Sequence, residues 1–325
     1  MADEEREGVA LSHLDAELFD GAGVTKRDLV DHLDGVADQL LPGLVDRPLS
    51  VVRVRPGSKP FMQKNLPTYA PAWIPRTEVW AEASHRQVAY AVVADRRSLL
   101  WFANQRAVEL HVPLVRLSDP GHADVLVMDL DPPEGAGFAA VVATAHLVRA
   151  TLAEAGLTGA VKTSGAKGLH VFVPLAETSV SDAAAATRAV AARAERADPA
   201  LATTAYVKDE REGKVFLDAT RSGGATVVAA YSPRARAGAP VSFPVAWDDL
   251  DRVAPADFTV RNARTLLDGR DRWRELLGEP QPLPADLVAE GHEIPVARVQ
   301  AMHAGKRRKR AERKARDDGD AGGKI

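Results

Sequence analysis

Apolar residues recur every three or four positions in three stretches of the sequence, which predicts three helices over 25–40, 138–155 and 181–197. The first helix has a clear start, because Thr25 is a favourable N-cap and Asp28 stands three residues later, where a carboxylate completes a capping-type box. Pro42 and Gly43 end this helical pattern. Ser181 is the predicted cap of the third helix, which is rich in alanine.

Strand-like runs occupy eight further segments: 49–54, 88–93, 99–103, 125–130, 160–163, 169–175, 214–218 and 226–231. Tight turns join two pairs of them, 160–163 with 169–175 and 214–218 with 226–231. Five prolines between positions 56 and 75 predict a loop with fixed turns rather than a regular element. Strands that meet through tight turns, with helices interspersed, predict an α+β fold with antiparallel or mixed sheets and argue against a doubly wound parallel sheet.

The composition excludes several classes of protein. The chain has 325 residues, of which 46% are hydrophobic, enough for a substantial core. It has no cysteine, which excludes disulfide scaffolds, thiolate metal sites and cysteine nucleophiles. No apolar run approaches the roughly 20 residues of a membrane helix, and the acidic N-terminus does not resemble a signal peptide. We therefore expect a soluble, cytoplasmic protein with no membrane partner.

The net charge of −3 does not by itself point to nucleic acid, but the charge is unevenly distributed. Residues 306–316 contain eight cations and one anion, and the only large apolar residue after them is Ile325. We therefore predict a folded domain over 1–305 and a disordered basic tail over 306–325. Two roles remain open for this tail: a solubilising end, or an arm that binds phosphates with release of counterions.

Two aspartates two residues apart end the apolar run 125–130. If the run is a strand, Asp129 and Asp131 point to the same face. At a separation of ~4 Å, two ionised carboxylates repel by about 4 kcal/mol at an effective dielectric constant near 20. A proton, solvation at the strand end, or a divalent cation such as Mg²⁺ or Mn²⁺ would relieve that repulsion. Asp218 ends another apolar run, either as a turn cap or as a third carboxylate for a two-metal site that acts on phosphate oxygens.

The segment 162–170 combines small residues with cations. Ser164, Gly165 and Gly168 would let backbone N–H groups approach an anion, and Lys167 adds a positive charge. The spacing of a Walker A loop is absent, and an ordinary hairpin turn has a similar composition. The segment is therefore either a turn or an anion-binding loop.

Two other segments also have two interpretations each. Phe61 and Lys64 place an aromatic ring and a cation in one predicted loop, which suits base stacking beside a phosphate but also suits a simple loop anchor. His111 lies between apolar residues, as a core histidine commonly does. Neither segment identifies a function when taken alone.

Taken in order, these segments resemble the polymerase domain of bacterial ligase D, the end-joining branch of the archaeo-eukaryotic primase superfamily. The resemblance covers about 11–265 and rests on ten short motifs: Leu14-Asp15, Thr25-Lys26, Arg47-Pro48, 61–65, Ala103-Asn104, 109–111, 129–132, 162–170, 214–218 and 231–234. It implies a primase-polymerase fold, with an RNA-recognition-like catalytic module and a smaller N-terminal α/β part. No ligase or nuclease segment accompanies the motifs, so we expect a stand-alone member.

The resemblance also implies roles for the matching residues. Asp129, Asp131 and Asp218 would be the catalytic carboxylates and would bind two Mn²⁺ or Mg²⁺ ions. The remaining roles are nucleotide binding for His111, Ser164, Lys167 and Arg234, and DNA binding for Lys26, Arg53, Phe61 and Lys64. The implied reaction adds nucleotides, preferably ribonucleotides, to 3′ ends. The implied partners are NTPs or dNTPs, DNA with gaps or broken ends, a separate DNA ligase and an end-binding protein, in a nucleoid-associated location.

Three positions depart from the family pattern. Ala16 replaces a lysine of the 5′-phosphate pocket and Glu17 follows it, so we expect Lys26 alone to give weak recognition of a recessed 5′ phosphate. Met62 stands where a second aromatic residue is usual. After the third aspartate, the usual Trp-Ser-Gln-Asn is Ala-Thr-Arg-Ser, and we expect the triphosphate pocket to be rebuilt around Arg221.

Two functions from different classes fit these observations. The first is a metal-dependent nucleotidyltransferase that extends DNA ends or gaps during repair, with a primer-making enzyme outside end joining as the variant of this class. The second is a non-catalytic scaffold that binds DNA ends. The three retained aspartates favour the enzyme.

Overall fold

The computed structural model describes residues 3–81 and 85–296. The α-helices in this part of the chain are α1 Lys26–Gly35, α2 Ala37–Leu40, α3 Arg96–Asn104, α4 Phe138–Glu154, α5 Val180–Ala197, α6 Ala263–Leu267, α7 Arg272–Leu277 and α8 Ala285–Glu293. The β-strands are β1 Glu4–Arg6, β2 Val9–Leu11, β3 Ser50–Arg55, β4 Ser58–Gln63, β5 Arg76–Ala81, β6 Arg86–Ala91, β7 Ala107–Val112, β8 Val125–Asp131, β9 Ala160–Thr163, β10 Leu169–Pro174, β11 Ala202–Thr203, β12 Val215–Asp218, β13 Val227–Val228 and β14 Pro244–Val245.

The largest sheet has six strands in the order β11-β12-β8-β10-β9-β14. Neighbouring strands are antiparallel except β11 and β12, which run parallel. Helices α4 and α5 pack against this sheet, and α8 packs against α5. The approach of α8 is close because Gly291 faces backbone: a Cβ atom at Gly291 would lie 1.9 Å from the carbonyl oxygen of Ala185. A larger residue at position 291 would push α8 away from the sheet layer.

A second sheet has four antiparallel strands in the order β13-β7-β3-β4. The hairpins β1–β2 and β5–β6 accompany it, and α3 contacts both α1 and β7. Buried side chains from both sheets, such as Val51 of β3 and Val171 of β10, belong to one continuous apolar cluster. The predicted α+β fold, with a mixed main sheet and a smaller N-terminal α/β part, is confirmed.

Several local predictions are confirmed with small shifts. The N-terminal capping box is present, because Thr25 Oγ1 accepts from the Asp28 N–H and the Asp28 carboxylate accepts from the Thr25 N–H. The predicted hairpin over 160–175 is formed by β9 and β10. The alanine-rich helix begins two residues earlier than expected, because Ser179 rather than Ser181 is its N-cap.

Three other predictions are wrong. Residues 99–103 lie in helix α3 rather than in a strand, because Asp95 caps that helix by accepting from the Ser98 N–H, and a short apolar run fits either element. The proline-rich segment contains strand β4, where Pro60 is tolerated because β4 is an edge strand. The segments 214–218 and 226–231 do not pair, because β12 joins the six-stranded sheet and β13 the four-stranded sheet.

Two further predictions concern membrane-spanning helices and the basic C-terminal tail. No helix within the described ranges is long and apolar enough to cross a membrane. The basic tail over 306–325, and with it the boundary after residue 305, lies outside the described residues. The division into a domain and a tail stays a prediction.

A buried histidine gives the fold an acid sensitivity that can be measured. His32 lies in α1 with its Nε2 2.9 Å from the Tyr231 carbonyl oxygen, and burial lowers its pKa from 6.5 to about 4. Between these two values the unfolded state binds a proton that the folded state excludes, so stability falls as the pH falls through this window. The free energy of unfolding should lose up to about 1.4 kcal/mol per pH unit from this residue.

Replacing His32 by glutamine tests this expectation. Glutamine can still donate to the Tyr231 carbonyl but has no titrating ring. Urea unfolding at several pH values should give a shallower loss of stability between pH 6.5 and 4 in the variant than in the wild type. Equal slopes in the two proteins would show that folding does not lower the pKa of His32.

Candidate active site

One row of cross-strand neighbours in the six-stranded sheet carries the candidate site. Lys162 of β9 faces His170 of β10, and His170 in turn faces Asp129 of β8. Asp129 faces Asp218 of β12. Directly opposed residues are about 4.5–5.5 Å apart, and their side chains share one face of the sheet. The register therefore aligns a cation, an imidazole and two carboxylates from four strands.

Asp131 adds a third carboxylate, because alternation along β8 puts it on the same face as Asp129. One oxygen from each of Asp129, Asp131 and Asp218 lies within 4.8 Å of the others. Burial, followed by the charges of Asp129 and Asp218, raises the pKa of Asp131 to about 6. Burial also opposes the ionisation of Asp129, but His170 and Arg221 hold the pKa of Asp129 below its usual range. The fold thus brings together the three aspartates that the sequence singled out.

This donor set fits a hard divalent cation. Carboxylate oxygens are preferred ligands of Mg²⁺ and Mn²⁺. Burial and the neighbouring carboxylates raise the pKa of Asp131 more than the nearby arginines lower it. Arg221 supplies part of the balance: its Nη2 and Nε lie 2.9 and 3.0 Å from Asp129 Oδ2, and its Nε lies 3.7 Å from Asp218 Oδ2. Asp129, Asp131 and Asp218 are the residues that could hold a metal ion.

Two buried residues, Lys162 and His170, connect to Asp129 through polar contacts. Lys162 Nζ lies 2.8 Å from His170 Nδ1, and His170 Nε2 lies 3.3 Å from Asp129 Oδ1. Because the amine donates to Nδ1, the imidazole proton belongs on Nε2, where it faces the carboxylate. Burial and then the charge of Lys162 lower the pKa of His170 to about 4. His170 is therefore a neutral ring that orients Asp129.

Lys162 is fully buried, and this burial lowers its pKa well below the usual value. Its Nζ also donates to Ser242 Oγ at 2.6 Å and to the Val228 carbonyl at 3.1 Å. Sequence reasoning gave neither Lys162 nor His170 a role, although both lie in the segment that it singled out. The available signal was symmetry: the two residues are equally distant from Ala166 at the centre of the turn, and such positions pair directly in a hairpin.

The turn between β9 and β10 forms one wall of the site. Ser164 Oγ accepts from the N–H groups of Ala166 and Gly168, so this hydroxyl shapes the turn. Gly168 is packed against β8, because a Cβ atom there would lie 2.2 Å from the Leu130 carbonyl oxygen. Lys167 is exposed at the tip of the turn. The turn is therefore held by its own hydrogen bonds and carries an exposed cation.

A buried carboxylate links two of the predicted nucleotide-binding residues. Glu109 Oε2 lies 2.8 Å from His111 Nε2 and 3.1 Å from Arg234 Nε, and Glu109 Oε1 accepts from the Ala235 N–H at 3.0 Å. Arg234 also donates to the Ser164 carbonyl at 2.6 Å. Burial opposes the ionisation of Glu109, but the bond from His111 and the charge of Arg234 lower its pKa to about 2. Glu109 thus positions His111 and Arg234, a role that sequence reasoning missed.

These elements enclose a cavity of about 320 Å³, near the lower end of the range for small-ligand sites. Its lining includes Asp129, Asp131 and His111. It also includes six cationic side chains: Lys167, Lys208, Arg211, Arg221, Arg234 and Arg236. Sequence reasoning did not find Lys208, Arg211 or Arg236, because they lie outside regular strands and carry no spacing signal. The cavity suits a polyanion that also meets the carboxylates.

The predicted DNA-binding residues fall into two groups. Phe61 and Lys64 are exposed on or next to edge strand β4, and the Arg55 guanidinium lies 5.3 Å from the centre of the Phe61 ring. Arg53 is buried, and its guanidinium donates to the Gln105 carbonyl, Gln63 and Tyr69. Lys26 is also buried. The fold does not bring these four residues to one common surface of free cations.

Three clustered carboxylates, two of which line a cavity with six cationic side chains, are typical of metal-dependent nucleotidyltransferases. Comparison with known proteins identifies the family. The model of the primase-polymerase domain of LigD matches residues 25–273. The chain therefore belongs to the LigD primase-polymerase family, whose members are metal-dependent polymerases or primases.

Individual relatives agree with this assignment. The multifunctional non-homologous end joining protein LigD of Mycolicibacterium smegmatis is 36% identical over 291 residues, which cover 87% of this chain and 37% of the relative. The bifunctional non-homologous end joining protein LigD of Bacillus subtilis is 32% identical over 253 residues, which cover 76% of this chain and 40% of the relative. The polymerase domain of Mycobacterium tuberculosis ligase D, solved in complex with DNA, has a TM-score of 0.76 and 34% identity, with 86% and 100% covered. The chain spans only 37% and 40% of the length of the Mycolicibacterium smegmatis and Bacillus subtilis LigD proteins.

Proposed function

We propose that the protein is a DNA repair polymerase that adds nucleotides to 3′ ends at gaps or double-strand breaks, with Mn²⁺ or Mg²⁺ at Asp129, Asp131 and Asp218. The observation that carries the proposal is that the three carboxylates cluster together, with Asp129 and Asp131 lining a cavity that six cationic side chains also line. The negative charge of a nucleoside triphosphate would match the cationic side chains of the cavity. Transfer at its α-phosphate would require a metal ion to neutralise the developing charge.

The chain's own residues would divide the work as follows. Lys167 and Arg234 pair with the triphosphate, and the rigid turn at Ser164 sets their separation from the triad. His170, fixed by Lys162, orients Asp129 as a metal ligand. When bound, the metal polarises phosphate oxygens and lowers the pKa of the attacking 3′ hydroxyl. His111, held by Glu109, lines the cavity and would contact the incoming nucleotide there.

DNA is the proposed partner of the neighbouring surface. Phe61 and Lys64 offer a stacking ring and a free cation next to strand β4. Action at broken ends would also require a separate DNA ligase and an end-binding protein, and it would place the protein at the nucleoid.

Primer extension on a gapped duplex tests the proposed function. Incorporation of nucleotides should require Mn²⁺ or Mg²⁺ and should stop when the metal is removed with EDTA. Binding to the gap without any extension in either metal would contradict the proposal and favour the scaffold that binds DNA ends.

The same assay tests the choice of sugar. We expect a higher kcat/KM for NTPs than for dNTPs, because a site that hydrogen-bonds the 2′ hydroxyl is left with an unpaired polar group by a deoxyribonucleotide. Parallel reactions with matched NTP and dNTP on one template measure the ratio. Equal efficiencies would contradict the ribonucleotide preference.

Lys26 bears on recognition of a downstream 5′ phosphate. Its Nζ donates to the Ser12 carbonyl and to Asn104 Oδ1, both at 2.6 Å, and the residue is 3% exposed. Burial, and then the charge of Arg106, lowers the pKa of Lys26 to about 8. Lys26 is therefore already engaged with protein acceptors, and Ala16 offers no second cation.

We expect removal of the 5′ phosphate to weaken gap binding by less than about tenfold. Ala16→Lys should make binding more dependent on the phosphate. Titrations of the same duplex with and without the phosphate, on the full chain and on a variant without residues 306–325, measure the effect. A larger loss in both proteins would contradict the prediction and show that a working 5′-phosphate pocket exists without the tail.

A further inference from the structure

Arg221 contacts two of the three carboxylates that could hold a metal ion. It begins the turn Arg221–Gly223, three positions after the last residue of β12, and its Nε and Nη2 both lie near Asp129 Oδ2. The same Nε lies 3.7 Å from Asp218 Oδ2. Mg²⁺ binds carboxylate oxygens at about 2.0–2.1 Å, and at this site it would lie beside a guanidinium if Arg221 stayed in place.

The guanidinium of Arg221 offsets part of the negative charge of the three carboxylates. Three ionised carboxylates within 4.8 Å repel one another, and Arg221 makes the closest cationic contact to them within the described residues. The ligase D family pattern has glutamine at this position, so the guanidinium is a departure of this chain. Its side chain is 32% exposed, so it is reached from the cavity and is not locked in the core.

We propose that Arg221 is an internal competitor of the metal, which stabilises the nucleotide-free triad and must leave Asp129 before a metal ion binds there. This inference rests on the proposed function, because it concerns the same triad. The nucleotide supplies the partner for the released side chain, since Arg221 lines the same cavity as Lys167 and Arg234, where the triphosphate is expected. Metal binding would thus be weak without nucleotide and stronger with it.

Titration of the full chain with Mn²⁺ alone, followed by the EPR signal of free Mn²⁺, tests the inference. Arg221→Gln restores the family residue and should bind Mn²⁺ at least about tenfold more tightly than the wild type. Arg221→Lys keeps a charge without the planar fork and should fall between the two. Arg236→Gln is the matched control, because Arg236 lines the cavity but forms no ion pair with the triad among the described residues; its affinity should stay within about threefold.

Thermal melting provides a second readout. Without metal, Arg221→Gln should melt below the wild type, because the carboxylates lose their cation, and Mn²⁺ should raise its Tm more than that of the wild type. If the wild type binds Mn²⁺ and Arg221→Gln binds it no more tightly, the inference is overturned. The proposed function would then still stand. Absence of Mn²⁺ binding in all variants, or binding that survives Asp131→Asn, would overturn the metal site and the inference together.

Discussion

Replacing Asp131 by asparagine should lower nucleotide incorporation by at least about a thousandfold, which corresponds to roughly 4 kcal/mol in the barrier. The amide keeps the size of the side chain but lacks the negative oxygen that, with Asp129 and Asp218, would hold a divalent cation. Affinity for DNA should stay within about threefold of the wild type, because the carboxylate holds metal rather than DNA. Single-turnover primer extension and a binding titration measure the two quantities.

The same variant should be more stable than the wild type when metal is absent. Burial and two neighbouring carboxylates raise the pKa of Asp131 to about 6, and a carboxyl group with a raised folded-state pKa loses stability as the pH rises through that value. The neutral amide removes this cost, so we expect a higher Tm at neutral pH without metal. A lower Tm would show that the carboxylates do not repel one another.

Asp249→Asn is the matched control for both measurements. Asp249 pairs with Arg252 on the exposed surface and does not line the cavity. Its loss should leave activity and stability close to those of the wild type. Activity of Asp131→Asn within about tenfold of the wild type would remove Asp131 from the catalytic site.

The sequence was sufficient for the parts of the site that depend on one strand. Alternation along 125–131 places Asp129 and Asp131 on one face without any knowledge of the neighbours. The hairpin over 160–175 likewise follows from its turn residues. The prediction that Asp218 joins them required the family resemblance, because no local pattern shows that β12 pairs with β8.

Interactions between distant segments could not be predicted in this way. Glu109 holds Arg234 across 125 positions of sequence, and this contact requires both sheets to be in place. The burial of Lys26 depends on Asn104, at the end of a helix that the apolar run 99–103 did not distinguish from a strand. Propensity describes a segment, whereas these contacts depend on how segments are arranged.

Replacing Lys162 by methionine should reduce the free energy of unfolding by about 3 kcal/mol, because removal of one partner leaves His170 Nδ1, Ser242 Oγ and the Val228 carbonyl buried without this donor. The Tm should fall by roughly 5–10 °C. Lys208→Met is the control, since Lys208 lines the same cavity but is exposed. Its stability should change by less than about 0.5 kcal/mol.

Activity separates a positioning role of Lys162 from a purely structural one. Without the amine, the proton of His170 is no longer fixed on Nε2, and the ring loses the bond that orients Asp129. Assayed at a temperature where both proteins are fully folded, Lys162→Met should incorporate nucleotides about a hundredfold more slowly and bind Mn²⁺ about tenfold more weakly, within the range for loss of a residue that supports a metal ligand. A destabilised variant with normal Mn²⁺ affinity and normal incorporation would show that Lys162 contributes only to stability. In that case His170 would orient Asp129 without help from Lys162.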